Sequence, residues 1–470
     1  MGERFSNVFD CVILGGGISG CIWAHHAVLK NKHTLLVEAG NDFKNAKDYP
    51  TGEASANALL YWSGGAELNK TATMGFLRPK VLGGGSVVNQ ALLDEFDDIV
   101  FDEWHEKSGL EFRDRFSVSS AYLEARKHLK QHKFLDSERN KNAQLFVQAC
   151  DKLGFEWSPL TRAQKDCHPQ RDCIDCLSGC KISSKQSLDR VFIDPIRNSE
   201  FLQLQSCTQA LSFRKIQKGL IEIETQNPQG QTARIQTKML VLAMGSIGNS
   251  LFLLNSGLKS NLPAVGEYFY SHPQFMNLGI FDYEIHSEVG CFQTVKSSDP
   301  RFRKKGFKLE NVFASPIGLA MLIPGFGREH FSKMKELTRM SCIEVAIRDT
   351  HPGSIKKLSK TRASIDKTLD KDDAQKQKDG LSTINQIFQS AGAREIITGR
   401  FGIGLHLMGG CRVGTHSRDS VFNADFALWD YPEIHCSDSS IFPSAPGINP
   451  SLTIMALSHQ VAKEALDFHV

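Results

Sequence analysis

The chain has 470 residues, 41% of them hydrophobic and 23% charged, which is ordinary for a globular protein and long enough for two sizeable cores. A formal net charge of +3 argues neither for nor against nucleic acid, so no nucleic-acid partner is expected. No apolar run reaches the roughly 18 residues that a membrane-crossing helix needs.

The opening "MGERFSNVFDCVILGGG" runs straight into a strand-like segment. It has no basic n-region, no separate apolar h-region and no small-residue cleavage site, so we expect no signal peptide and a cytoplasmic address. It fits the loose M-G-x-x-x-S lipidation pattern only weakly. Cys11–Leu14 suits a buried parallel strand. Gly15, Gly17 and Gly20 then give G-x-G-x-x-G, a helix-like stretch runs through Leu29, and a second apolar run, Thr34–Val37, ends at Glu38. Each part has a physical task. Gly15 permits the tight turn, Gly17 lets the backbone approach a pyrophosphate, and Gly20 lets helix and strand pack closely. The helix N-terminus offers N–H donors to phosphate, and Glu38 is placed for a ribose diol. The whole order reads as dinucleotide binding, and Glu within "VEAG" leans towards FAD over a nicotinamide.

Residues 78–90, "RPKVLGGGSVVNQ", carry a second glycine loop: Gly83, Gly84 and Gly85, then Ser86 and Asn89. Its N–H groups could approach a phosphate or a flavin edge; a turn between domains would read the same. Of the 12 cysteines, Cys167, Cys173, Cys176 and Cys180 fall close together. In a chain this long they do not read as a disulfide framework. Free thiols fit, and so does structural zinc, although zinc more often pairs two separated knuckles. An iron–sulfur cluster also fits: Cys173, Cys176 and Cys180 would surround a tight turn that Gly179 lets bend, with Cys167 outside it. The alternation from Leu202 to Leu242 predicts a β-meander with an Asn-Pro-Gln-Gly turn that rejoins the parallel sheet. The charged run Ser354–Gly380 reads as a solvated helix or lid, with an acceptor-docking patch as the alternative.

"GLHLMGGCRVG" (residues 404–414) holds one imidazole, His406, with no acid nearby in sequence. By itself such a histidine reads as readily structural as catalytic. Asn449, before Pro450 in "INPSLT", suits a turn by its type alone.

Read in order, "LGGGSVVN", "VLAMGSIGNSLFLLNSGL" (residues 241–258), "AVGEYFYSHP" (264–273), "GLHLMGGCRVG" and "IHCSDSSIFPSAPGINPSLTIMALSHQVAKEAL" (434–466) resemble the glucose–methanol–choline (GMC) oxidoreductase family. The Gly-Gly-Cys after the histidine is nearer the cholesterol-oxidase-like branch than the glucose-oxidase branch. The resemblance implies an α/β fold: a discontinuous Rossmann-like FAD-binding domain (1–100, 190–273, 400–470) and a smaller α+β substrate domain (101–189, 274–399) carrying the Cys-rich segment 167–180. It implies FAD contacts from Gly83, Gly84, Ser86, Asn89, Asp438, Ser439 and Thr453, beside Gly15, Gly17, Gly20 and Glu38. It makes His406 the acid/base on a substrate hydroxyl and Asn449 its partner, in oxidation of a sugar, sterol or other alcohol by hydride transfer to flavin N5. Val88 stands where some members tether the flavin through a histidine, so the FAD is expected to be non-covalent. The Cys-rich segment resembles that of the bacterial FAD sugar dehydrogenases with a three-iron cluster. That likeness implies a dehydrogenase with a small partner subunit and a one-electron acceptor such as a cytochrome, with a periplasmic or membrane-associated address supplied by the partner. An oxidase using O₂ and a non-redox lyase that keeps FAD are the alternatives.

Overall fold

The computed structural model describes residues 8–112, 118–167 and 175–468. β1 (Phe9–Leu14) is fully buried along Cys11–Leu14, as befits a central parallel strand covered on both faces. α1 (Ile18–Leu29) carries the chain back to β2 (Thr34–Val37), parallel to β1 with Cys11 opposite Thr34. A Cβ on Gly15 would lie 2.3 Å from Ala243 O, and one on Gly20 1.9 Å from Gly15 O, so this corner closes only with glycine.

β3 (Leu202–Gln205) extends the sheet beyond β2. β4 (Gln209–Gln217), β5 (Leu220–Gln226) and β6 (Thr232–Leu242) form the antiparallel meander that the alternation predicts. Its turn is closed by Gly230 N–H donating to Asn227 O. The second half of β6 leaves the meander and lies parallel to β1, Phe9 opposite Thr237 and Leu14 opposite Leu242. α2 (Gly245–Asn255) starts at its end. β7 (Ala427–Leu428) and β8 (Tyr431–Cys436) complete the order β7-β8-β6-β1-β2-β3, with β8 parallel to β6. This is the Rossmann-like sheet of an α/β protein.

The second sheet is nine-stranded and mainly antiparallel. Its centre is the strand Phe269–Ile280, flanked by Gly402–Gly409 on one side and Met340–Ile347 on the other, with Phe307–Val312 beyond the latter. Met74–Phe76 and Gly402–Gly409, both within segments assigned by sequence to the cofactor half, lie in this sheet. The charged run Ser354–Gly380 is not the single helix or lid that its composition suggests. Ser354–Lys357 pairs with Ala363–Asp366, and the helix Lys371–Ala391 starts afterwards, capped by Asp370. Ile355 and Ile365 are buried and pin the hairpin down.

α3 (Ser451–Phe468) packs along α1, where His26 Nε2 and His459 Nδ1 share a hydrogen bond of 2.9 Å and His128 stacks on His459. Burial holds His459 down at about 2 and His26 at about 4, so both are neutral. An unfolded chain takes up protons at these residues below about 6.5 while the folded chain does not. Folding stability should therefore fall as pH drops below about 6.5, by up to about 1.4 kcal/mol per pH unit for each such histidine. Thermal midpoints measured between about pH 7 and pH 4.5 check this, and His459→Gln should flatten their slope; a slope that the substitution leaves alone would assign the acid sensitivity elsewhere.

Candidate active site

The two glycine loops meet. A Cβ on Gly84 would come within 2.6 Å of Gly17 Cα. Beside this contact, side chains added at Gly17 and Gly85 would find no protein atom closer than 3.8 Å, so both loops leave open space along one edge. Open N–H-lined backbone next to the N-terminus of α1 is what a pyrophosphate needs. Glu38 holds the loop from below: Oε2 accepts from Gly16 N–H and Oε1 from Gly40 N–H, each at 2.7 Å. Burial raises its pKa, opposed by these same bonds. The residues present thus fit a dinucleotide.

Other residues singled out by sequence have their side chains engaged within the protein. Ser86 Oγ donates to Gly83 O and accepts from Leu188 N–H, bracing the second loop. Asn89 accepts from Ala91 N–H and donates to Ser451 Oγ. Asp438 accepts from Gly245 N–H at 2.8 Å, from Ser440 N–H and from the Asn249 amide, tying α2 to β8. Ser439 Oγ donates to Leu407 O, next to His406, and Thr453 bonds the Tyr122 hydroxyl. These side chains brace the surrounding loops, whereas Gly17 and Gly85 border open space.

His406 lies in the strand Gly402–Gly409 with φ 51°, a left-handed conformation rare for a residue with a Cβ. Its Nδ1 is 2.9 Å from Nδ1 of His272, which is wholly buried. Gly447 N–H donates to His272 Nε2 at 2.9 Å. Neutral His272 therefore keeps its proton on Nδ1 and gives it to His406 Nδ1. Neutral His406 then carries its own proton on Nε2. Burial first, and the Lys308 ammonium second, hold His406 at about 3; burial and His406 hold His272 well below its usual value.

Asn449 is joined to the same centre through Gly447. Gly447, two residues before it, is clamped through its N–H by His272 and through its carbonyl by Arg303. The Asn449 amide donates to Asp94 Oδ2 at 2.7 Å and to Glu310 Oε1 at 3.3 Å. Glu310 Oε1 also receives Lys308 Nζ at 2.7 Å, in an ion pair 2% and 0% exposed. Burial and the neighbouring Glu310 push Glu344 well up, so it is protonated. Asp94 is paired with Lys296 at 2.5 Å. His272, Lys308, Glu310 and Asp94 were not read from the sequence. His272 stood in plain view in "YSHP", and nothing local marked its partner.

Of the cysteines, Cys173 lies outside the described residues. Cys176 Sγ accepts from Arg162 Nη2 at 3.2 Å and Cys180 Sγ from Lys185 N–H at 3.4 Å. Cys167 lies beside Cys291; the Cys291 thiol, then Ser184 and Arg162, bring it down to about 6 against the effect of burial. Among the described residues no three Cys, His, Asp or Glu side chains come together to hold a metal ion. Among the described residues, too, no helix is long and apolar enough to cross a membrane.

Comparison with known proteins adds three findings. The GMC oxidoreductase profile matches residues 9–274 with its N-terminal part and 344–458 with its C-terminal part. A long-chain-alcohol oxidase of Arabidopsis thaliana is 24% identical over 97% of this chain and 68% of its own, and a 6'''-hydroxyparomomycin C oxidase of Streptomyces lividus is 22% identical over 96% and 90%. Among solved structures, pyridoxine 4-oxidase from Mesorbium loti superposes with a TM-score of 0.73 at 16% identity, covering 97% of this chain and 99% of that one. Formate oxidase of Aspergillus oryzae gives 0.71 at 14%, covering 98% and 99%.

Proposed function

Since the chain belongs to the GMC oxidoreductase family and is a flavoprotein oxidoreductase, we propose that it oxidises a primary or secondary alcohol at the His406–Asn449 centre, with non-covalent FAD held by the two glycine loops. FAD, when bound, supplies the hydride acceptor. The chain's own residues manage the proton and the geometry. Asn449 Oδ1, with its amide fixed by Asp94 and Glu310, holds the hydroxyl and aims the C–H bond.

His406 exchanges the proton at Nε2. To accept, the pair must carry its shared proton on His406 Nδ1 and give up the Gly447–His272 bond, at a cost of about 1–3 kcal/mol. A positioned base returns about 100- to 10,000-fold in rate, or about 3–5 kcal/mol, so the base route still wins. Because burial keeps the imidazole neutral, the acid limb of alcohol oxidation should lie well below the usual 6.5 of a free histidine. The single observation behind this reading is the imidazole pair set beside the clamped Asn449.

Mixing the purified protein with a panel of alcohols, with and without O₂, tests it. Bleaching of the flavin band by an alcohol supports alcohol oxidation; no bleaching by any alcohol favours a lyase and ends the proposal. Peroxide formation identifies an oxidase, and bleaching without O₂ uptake a dehydrogenase. Acid or detergent denaturation should release all of the flavin, since Val88 cannot form a histidyl link. Flavin precipitating with the protein would contradict non-covalent binding.

One observation favours a second feature of this reading. Buried Arg162 donates from Nη2 to Cys176 Sγ, and the backbone N–H of buried Lys185 donates to Cys180 Sγ while its Nζ holds the carbonyls of Val87, Asn89 and Cys176. The guanidinium bonds one of the cysteines proposed as cluster ligands, and the lysine staples the Cys-rich segment to the second glycine loop. An iron–sulfur cluster on Cys173, Cys176 and Cys180 would give a dehydrogenase that passes single electrons to a cytochrome-like acceptor through a partner subunit. Anaerobically purified protein should then contain about three to four irons per chain, lost in Cys176→Ser. Far less iron in the wild type would overturn the cluster and leave a flavoenzyme with spare thiols.

A further inference from the structure

The helix Pro316–Leu322, "PIGLAML", has no polar side chain. One face is spent on the core: Leu319 and, after it, Ile323 are buried in a cluster with Leu278, Val312 and Ile397, and Leu322 is buried too. The other face puts Ile317 and Met321, one turn apart, into solvent. A surface helix ordinarily turns polar residues outward. Next comes the tip Pro324-Gly325-Phe326-Gly327, where Gly325 (φ +93°) and Gly327 (φ +61°) let the chain reverse and Phe326 stands 91% exposed. The return helix Gly327–Met334 is tied back by His330 Nε2 donating to Ala320 O, and it exposes Phe331. Lys335 sits 4.7 Å over the Phe331 ring.

Cations stand beside the apolar side chains with glutamates among them: Lys333 lies 3.8 Å from both Glu329 and Glu395, Glu336 follows Lys335, and Glu53 accepts from the Ile317 and Gly318 N–H groups. Between residues 316 and 335 the chain carries Arg328, Lys333 and Lys335 against Glu329 alone. Arg400, whose N–H donates to Leu322 O, adds its guanidinium over the exposed Phe401. Ile317, Met321, Phe326 and Phe331 together present on the order of 500 Å², short of the ~800 Å² per partner that a stable dimer buries. They stand on a narrow tip, a shape that enters a soft medium better than it covers a flat partner.

We propose that the hairpin Pro316–Met334 docks on an anionic lipid bilayer. Phe326, Phe331 and Met321 enter the boundary between headgroups and acyl chains, and Arg328, Lys333, Lys335 and Arg400 remain at the headgroups. The docking places function near lipid. From Phe401 at this surface the strand Gly402–Gly409 reaches His406 five residues later, about 17 Å away at 3.3–3.4 Å per residue. The inference stands whether or not the alcohol-oxidation reading does.

The flavin-loaded full chain should cosediment with vesicles of phosphatidylcholine and phosphatidylserine, less with phosphatidylcholine alone, and less in raised salt. Phe326→Ser with Phe331→Ser should lower partitioning at least about 10-fold while flavin absorbance stays unchanged. Phe326→Trp should shift its emission to the blue on the mixed vesicles. Wild type left in the supernatant with both vesicles, or serine variants that bind as wild type does, would overturn the proposal. So would Phe326-dependent self-association in lipid-free buffer, which would assign the hairpin to a second copy.

Discussion

His406→Ala should keep the flavin bound and slow flavin reduction by a true substrate at least about 100-fold, read by stopped flow. The substitution removes the group proposed to exchange the hydroxyl proton and leaves both glycine loops untouched. His272 offers a control that separates chemistry from structure. His272→Asn removes the donor to His406 Nδ1 and the acceptor for Gly447 N–H without touching Nε2. Its rate should fall less than that of His406→Ala, and its pH profile should move, because the neighbouring imidazole contributes to the balance of protons on the pair. Reduction that proceeds at the wild-type rate in His406→Ala would remove this residue from the mechanism and leave Asn449 without a partner.

Lys308→Met should cost about 3–5 kcal/mol, the penalty for leaving a buried carboxylate without its cation. Glu310 is wholly buried; Gln293, Asn449 and protonated Glu344 cannot neutralise it. The thermal midpoint of the single variant should therefore drop clearly. Lys308→Met with Glu310→Gln should recover most of the loss, since the burial penalty of both charges disappears together. The double variant should also be a poor catalyst, because Glu310 Oε1 orients the Asn449 amide. A single variant as stable as the wild type would mean that the Lys308–Glu310 ion pair contributes nothing to stability.

What could be read from the sequence is what is set locally. The strand, glycine loop, helix and second strand of residues 9–38 were legible because Gly20 is forced by Gly15 O and Gly15 by one strand end, while Gly17 stays open. The meander was legible from its alternation. The charged run Ser354–Gly380 misled because composition hid two buried isoleucines in a short hairpin. The centre around His406 was half legible: the two principal residues carry family motifs, but their supports arrive from far away. His272 is 134 residues from His406, and Glu310 is 139 from Asn449. Each looks unremarkable among its own neighbours, and only the pairing of distant strands gives it a role. The hairpin at Phe326 escaped for the opposite reason: an apolar stretch announces burial, and sequence does not say which of its residues are left outside.

The strand order also has a meaning in time. β1 leaves the ribosome more than two hundred residues ahead of its neighbour β6, and β6 in turn precedes its own outer neighbour β8 by nearly as many. At about 5–20 residues per second the oldest strand of the sheet waits tens of seconds for partners on its open side. During that wait the nascent chain exposes Cys11–Leu14, a sticky edge of four apolar residues. The sheet that carries the first glycine loop is thus opened early in this sequence and closed late, so its completion waits on the length of chain between paired strands and not on the speed of any single helix.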